Sequence, residues 1–434
     1  KIAALGGRHV GLPGLFVEHR GGESFGSDEK LALVAANGRI ITERYPRYDA
    51  EVQEFIASDP LIGPRLLLGL ASAATLRGEV PVYLCHSLGG GAEDAMMRQL
   101  RCDLEQGLPG VVLRVGGRFR YAIELHTPQG MTHGSVEDDK VLEELLQTLP
   151  RMHLIYVCGV GDLDAPTLPG RMVRWVGRVG ARLSIEIHDF FPLSPSYTLL
   201  DDTGHFSGPP HSASHTDTVH NTRDRAGEVV ELAEWQSRWY GAMMQARDVI
   251  VFSDNSRDMI LSVWPELSDK IILRPHPPLH GVPAVTRAPK MPARVVGVLG
   301  NIGKQKGAEV LSHLSRRMSR SRGEGLVLIG NIDPTYPLAA SGVVHGSYVR
   351  ADITTLAHNY AIDCWLIPSI WPETFSFTTR EALATGLPVW CFDLGAQAEA
   401  LREAGQGAHV LPLPAHPKDS DVIMQRILGH EVGS

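Results

Sequence analysis

The stretch from Pro372 to Val389, PETFSFTTREALATGLPV, restricts what this chain can fold into more than any other. Pro368 and Pro372 stand so close together that Ser369–Pro372 reads as an irregular loop, since neither residue fits inside a helix or a strand ladder. From about Ser376 the pattern turns helical through Glu381, Ala382, Leu383 and Ala384, and Gly386 stops it at the C′ position. Pro388 then leads into Val389-Trp390-Cys391-Phe392, an apolar run typical of a buried parallel strand. Loop, helix and buried strand in this order predict an α/β fold.

The same order suggests chemistry. A helix opening at Phe375–Thr378 leaves its first backbone N–H groups without intrahelical partners and carries partial positive charge there. An anion such as a phosphate is stabilised at that end. Glu373 precedes the helix and Glu381 lies along it, so one carboxylate can reach a sugar hydroxyl and the other a ribose hydroxyl, with a diphosphate between. The spacing of the two glutamates alone fits an ordinary surface helix better than a binding site.

Pro-Glu-Thr-Phe before the helix and Ala-x-Gly-x-Pro-Val after it add to that spacing. The whole string resembles the donor-site signature of retaining nucleotide-sugar glycosyltransferases of the GT-B fold, family 4. The resemblance covers about Val80 to Leu413 and is most specific in its last sixty residues.

Composition is ordinary for a globular chain of 434 residues, with 43% hydrophobic and 21% charged residues, enough for two or three domains. A net charge of −8 gives no basic field, which argues against nucleic acid as a partner. No apolar run approaches the roughly 20 residues of a membrane helix, and KIAALGGRHVG has no signal-peptide core. Cys85, Cys102, Cys158, Cys364 and Cys391 are scattered and read as buried reduced thiols of a cytoplasmic protein.

Residues 1–77 are expected to form a mainly helical extension, glycine-rich and irregular to Phe25, then helical over Asp28–Tyr45, Tyr48–Ser58 and Pro64–Leu76. The last carries Leu66, Leu67, Leu70, Ala73 and Ala74 on one face. FVEHRGGESF and the segments after it resemble the tail that closes GT-A glycosyltransferases of family 2, and His19 matches a metal-proximal histidine there. That resemblance implies an upstream glycosyltransferase domain; a helical cap on the next domain is the alternative.

Residues 78–276 read as a first Rossmann-like domain. Pro81–Cys85 is a buried strand, Gly89-Gly90-Gly91 a tight turn, and a helix follows with Ala95, Met96, Leu100 and Leu104 inward. HSLGGGAE is similar to the first loop of many family 4 enzymes, which makes Gly90 and Gly91 binding candidates. Val111–Val115 and Tyr121–Leu125 suggest an antiparallel insertion. Strand Arg182–Ile187 delivers His188 and Asp189 to the carboxyl edge of the sheet, where ligands collect. The block HDFFPLSPSY resembles one in a family 4 subgroup whose histidine faces the reacting centre. Residues 204–225 contain His205, His211, His215 and His220 in spacings that fit no zinc pattern, so a solvated acceptor-side loop is expected rather than a metal site. Trp235, Trp239 and Tyr240 on the next helix read as core.

A proline-rich linker over 277–292 leads to a second Rossmann-like domain at 293–415, with Asn301-Ile302-Gly303-Lys304-Gln305-Lys306-Gly307 as its first loop. Lys306-Gly307 matches the Lys-Gly of the family's donor loop. The family usually has an arginine five residues earlier, and Asn301 stands there, with Lys304 as a substitute cation. Residues 416–434 read as a C-terminal helix expected to cross back to the first domain.

The resemblance therefore implies two doubly wound Rossmann-like domains facing a cleft. It implies retaining transfer from a nucleotide diphosphate-sugar to a saccharide or lipid-linked acceptor, in surface polysaccharide synthesis. No metal and no cofactor beyond that co-substrate are expected. Phe375, Ser376 and Phe377 would supply N–H groups and Lys306 charge to the departing diphosphate. Glu381 would anchor the ribose, Glu373 a hydroxyl of the donor sugar, and His188 that sugar or the attacking hydroxyl. Peripheral association with the inner face of a membrane fits the same reading. A nucleotide-sugar 2-epimerase and a non-catalytic nucleotide-sugar-binding module are the rival functions.

Overall fold

A computed structural model describes residues 5–8, 27–179, 181–212, 217–277, 281–320, 323–416 and 419–430. FVEHRGGESF with His19 lies outside these residues, as does His215. Helices α1 (Ser27–Arg44), α2 (Tyr48–Ser58) and α3 (Ile62–Leu76) come first. Of α3, Leu66, Leu70 and Ala73 are buried, at the i, i+4, i+7 spacing of one helical stripe. Leu67, expected on that stripe, is 42% exposed because it falls to one side of it. Helix α2 buries no residue, and Leu31, Val34, Phe55 and Ile56 stay exposed on α1 and α2.

The first sheet is built from β1 (Val80–His86), α4 (Gly91–Glu105), β2 (Gly110–Val115), β3 (Tyr121–Thr127), β4 (Gly130–Val136), α5 (Asp139–Leu146), β5 (Met152–Tyr156), α6 (Leu168–Val179) and β6 (Arg182–Glu186). A small hairpin of β7 (Thr222–Arg223) and β8 (Val229–Val230) precedes α7 (Leu232–Gln245), β9 (Asp248–Val251), α8 (Asp254–Val263) and β10 (Ile271–Leu273). Strand order is β10-β9-β6-β5-β1-β2-β3-β4. The expected antiparallel insertion is corrected in one respect, since β2 pairs parallel with β1 and belongs to the main sheet. Strand β3 alone runs against the rest of this sheet, pairing antiparallel with β2 as expected and with β4, with which it forms an edge hairpin under α3. Trp235 and Trp239 are core, the Trp235 indole donating to the Phe191 carbonyl at 3.0 Å.

The second sheet comprises β11 (Val295–Leu299), α9 (Ala308–Met318), β12 (Gly325–Ile329), β13 (Val343–Val344), α10 (Ile353–Asn359), β14 (Cys364–Ile367), α11 (Phe377–Ala384), β15 (Val389–Phe392), α12 (Gly395–Glu403) and β16 (Val410–Leu411). All strands are parallel, in the order β13-β12-β11-β14-β15-β16. Numbered within this half, that is the 3-2-1-4-5-6 order of a dinucleotide-binding sheet, and its direction of winding reverses between β11 and β14. In the first sheet the reversal falls between β1 and β5. Loops leaving those four strands therefore diverge and leave a crevice at the carboxyl edge of each sheet.

Helix α13 (Asp421–Leu428) forms as expected but does not cross back. The Ala293 N–H donates to the Ile427 carbonyl at 3.0 Å, His430 pairs with Glu324 at 2.7 Å, and Arg317 meets Asp421. Ile423, Met424, Ile427 and Leu428 are buried. Four cysteines are buried, but Cys102 on α4 is exposed, contrary to the expectation. Burial pushes the Cys85 thiol up to about 12.

Candidate functional site at the facing switch points

The loops that leave β11 and β14 pack directly on one another. The Ile370 N–H donates to the Gln305 carbonyl at 3.0 Å. Gly307 has φ +84°, and a Cβ there would stand 2.1 Å from the Pro368 carbonyl oxygen, so only glycine permits this approach. The contact fixes Lys306, half-buried at the end of a short 3-10 turn, beside the segment that leads into α11. Lys304 is exposed and lies across the cleft, its Cε 3.1 Å from where a Cβ on Gly204 would be. Asn301 is exposed too, and its side-chain oxygen accepts from Asn331 at 3.1 Å.

Helix α11 begins at Phe377 with Ser376 as N-cap, within the expected opening at Phe375–Thr378. The Ser376 hydroxyl accepts from Thr379 Oγ1 at 2.7 Å and makes no capping bond to the backbone. Helical geometry thus leaves the amides of Phe377, Thr378 and Thr379 as the anion-facing donors. Phe375 has another place. It packs with Ile250 and Phe252 of the first half, while the Arg380 guanidinium sits 4.7 Å from its ring centre.

The two glutamates that flank this helix are both buried, Glu373 at 5% and Glu381 at 7% exposure. Glu373 accepts from the Ser369 hydroxyl, and its main chain is clamped by Gln397 Oε1 at 3.1 Å and the Ala396 N–H at 2.8 Å. Glu381 accepts from Arg350 Nε at 2.9 Å and from the Tyr348 hydroxyl at 3.4 Å. Each carboxylate is therefore oriented by fixed donors.

The first half supplies the opposite wall. His188 Nε2 lies 2.9 Å from Glu186 Oε2, and the ring stacks on Phe252 with centroids 4.4 Å apart. Its carbonyl accepts from Thr374 Oγ1 at 2.7 Å, so the His188 loop and the stretch from Pro372 to Val389 are joined directly. Beside it, burial raises the Asp189 carboxyl, although that group accepts from the Cys158 thiol and the Phe191 N–H at 2.9 Å each. Gly90, with φ +107°, is the N-cap of α4. A Cβ on Gly91 would stand 3.1 Å from the Phe377 ring, so α4 and α11 meet amino end to amino end.

Several residues at this junction carry no signal in the sequence. His276, from the proline-rich closing segment of the first half, stacks on Phe252 with centroids 4.2 Å apart and meets Phe375 edge-on at 4.7 Å. Burial, with His188, Arg98 and Arg380 nearby, holds its pKa down to about 3, so it is a neutral wedge between the halves. Glu399 on α12 accepts from the Asp254 and Asn255 N–H groups, both at 3.0 Å, and so caps α8 from the other half. Arg98 on α4 places its guanidinium 5.2 Å from the centre of the Phe377 ring. Only the seven-residue interval from Gly91 to Arg98, two helical turns, could have hinted that both face the same way.

Of the histidines in residues 204–225, His220 is buried with Nδ1 2.6 Å from Ser194 Oγ, so that part of the segment is core rather than a solvated loop. Among the described residues no group of three or more His, Cys, Asp or Glu side chains is arranged to hold a metal ion. None of the described helices is long and apolar enough to cross a membrane.

No protein-family model matches the chain, and no curated protein matches it. Solved structures do. HepE of Anabaena in complex with UDP is 16% identical and superposes with a TM-score of 0.50, covering 81% of this chain and 90% of that one. The lipopolysaccharide outer core galactosyltransferase WaaB in its apo form is 12% identical at TM-score 0.47, covering 81% and 91%. An α,α-trehalose-phosphate synthase from Burkholderia vietnamiensis is 11% identical at 0.47, covering 81% and 92%. With two parallel sheets whose switch points face one cleft, and with HepE as a match along most of both chains, this protein has the GT-B fold.

Proposed function

We propose that the protein transfers a sugar from a nucleotide diphosphate-sugar to an acceptor hydroxyl, with retention at the anomeric carbon, as family 4 enzymes do. One observation carries the reading. An uncapped helix amino end, the Lys306 loop and the His188 edge of the opposite sheet converge on one crevice. A leaving nucleoside diphosphate gains negative charge as the glycosidic bond breaks. Fixed N–H groups and a lysine in a partly closed cleft stabilise that charge more than they stabilise the ground state. The amides of Phe377 to Thr379 and the Lys306 ammonium would do so without a metal. Glu381, held by Arg350 and Tyr348, would take the ribose hydroxyls, and Glu373 a hydroxyl of the sugar. His188, polarised by Glu186, would contact the sugar or the incoming hydroxyl. An acceptor attacking on the departing face needs no protein nucleophile.

A saccharide or lipid-linked acceptor in surface polysaccharide synthesis fits this site, as does a cytoplasmic location at the inner face of a membrane. The apolar side chains left exposed on α1 and α2 fit an upstream domain docked against them. HepE is described with UDP and with UDP-glucose, which makes UDP the first nucleotide and UDP-glucose the first donor to try. The test is turnover with the true donor, with Glu373→Ala and Lys306→Ala assayed separately. Loss of nucleoside diphosphate release in both supports the assignment, and unchanged rates in both overturn it. Release of free sugar or an epimer without acceptor would select the 2-epimerase instead.

A further inference from the structure

We infer that Arg98, on α4 of the first half, is the second cation of the diphosphate site and supplies from the opposite wall the charge that Asn301 lacks. The inference rests on the donor-site reading above. Its first ground is position. Gly91 opens α4 against Phe377, the first residue of α11, and two turns later Arg98 sets its guanidinium 5.2 Å from the centre of that ring. A planar cation over the ring of the first helical residue lies beside the amides that face the anion.

The second ground is charge. Arg98 is half-buried, and among the described residues no carboxylate lies within ion-pair distance of it. The charges that act on it are two cations, Arg350 and Arg101, and two carboxylates, Asp94 and Glu381, none of them in a direct ion pair with it. Burial, and then the field of Arg350, hold the Arg98 guanidinium below its usual range against the opposing pull of Asp94 and Glu381. Arg350 is already paired, at 2.9 Å, with Glu381. Arg98 therefore carries a positive charge with no direct ion-pair partner among the described residues, beside a crevice that also holds Lys306 and a helix amino end. A half-buried cation without a partner costs free energy in the empty protein, and an arriving dianion returns it. Asn301, whose side-chain oxygen is occupied by Asn331, offers no charge from the second half.

The origin of Arg98 has a consequence. Lys306 and the α11 amides belong to the second half and Arg98 to the first, so all three reach one diphosphate only when the cleft is closed. The diphosphate then ties the halves together, and a monophosphate, one charged group shorter, does not.

The experiment compares wild type, Arg98→Ala, Arg98→Lys and, as a charge-matched control on the exposed side of α4, Arg101→Ala. Calorimetry measures binding of uridine, guanosine and adenosine diphosphates and of the matching monophosphates, beside thermal melting of each variant. For the diphosphate that binds wild type, Arg98→Ala is expected to lose about tenfold or more in affinity. The monophosphate should change by no more than about twofold, with partial recovery in Arg98→Lys, none lost in Arg101→Ala, and unaltered melting. Equal diphosphate binding by Arg98→Ala and wild type, with Lys306→Ala impaired, overturns the role of Arg98 and leaves the donor site standing. Equal loss of mono- and diphosphate together with a lower melting temperature makes Arg98 a structural residue and also overturns it. Absence of nucleotide binding by the wild type removes both the donor site and this inference.

Discussion

Helices α8 and α11 both point their amino ends at the boundary between the two halves, yet they are finished differently. At α8 the Ser253 hydroxyl accepts from the Ser256 N–H at 3.2 Å, and Glu399 from the opposite half takes the Asp254 and Asn255 N–H groups. Every donor in the first turn of α8 is spoken for by the protein. At α11 the cap residue Ser376 turns its hydroxyl to Thr379 instead, and no side-chain cap is made. Helix α4, opposite, also starts on an uncapped glycine. A helix end closed by a carboxylate holds the halves together, whereas an end left open and ringed by cations waits for an anion. The same dipole physics serves structure at one end of the boundary and ligand binding at the other.

Substitutions at the two helix ends should have opposite effects on stability and on ligand binding. The largest effect is expected from Gly307→Ala, whose new Cβ would meet the Pro368 carbonyl at 2.1 Å in a backbone of φ +84°. The Lys306 loop would have to leave its place, and steady-state turnover should fall by more than about a hundredfold. Lys306→Ala alone should cost about tenfold to a hundredfold in kcat/KM, with little change in melting temperature. Glu399→Ala should do the reverse. Unfolding in urea should show a loss of about 1–2 kcal/mol, while affinity for a nucleoside diphosphate stays within about threefold.

The smallest effect concerns acid. His276 is neutral in the fold, with burial and neighbouring cations holding its pKa down to about 3. Between about pH 6.5 and about 3 the unfolded chain therefore binds a proton that the native one refuses, so stability falls as pH drops through that window. His276→Phe keeps the stack on Phe252 and removes this proton. Its urea-unfolding free energy should decline less than that of wild type between pH 7 and pH 5, by about 1 kcal/mol after allowance for solvent screening.

Much of this was legible in the sequence because it is local. Pro372, Gly386 and the run Val389–Phe392 set loop, helix stop and strand by backbone geometry alone. Lys306-Gly307 marked the loop that proved to pack against Pro368. Strand β4 was not foreseen, since an edge strand reading Gly-Met-Thr-His-Gly-Ser-Val buries little and shows no apolar alternation. Instead of the expected return to the first half, α13 is tied to the second by polar contacts with Ala293, Glu324 and Arg317. Arg98, His276 and Glu399 were invisible for a different reason. Their meaning lies in which helices and loops meet across the cleft, and apart from the Gly91–Arg98 interval no spacing along the chain bears on that. Their partners, Phe377, Phe375 and the α8 amides, all belong to the other half of the molecule.

The most direct measurement is a crystal structure of the protein with a bound nucleoside diphosphate. The account places the diphosphate oxygens within hydrogen-bond distance of the Phe377, Thr378 and Thr379 amides and of the Lys306 ammonium, with the ribose at Glu381. A diphosphate bound outside that crevice, or one that leaves the amino end of α11 untouched, would contradict it.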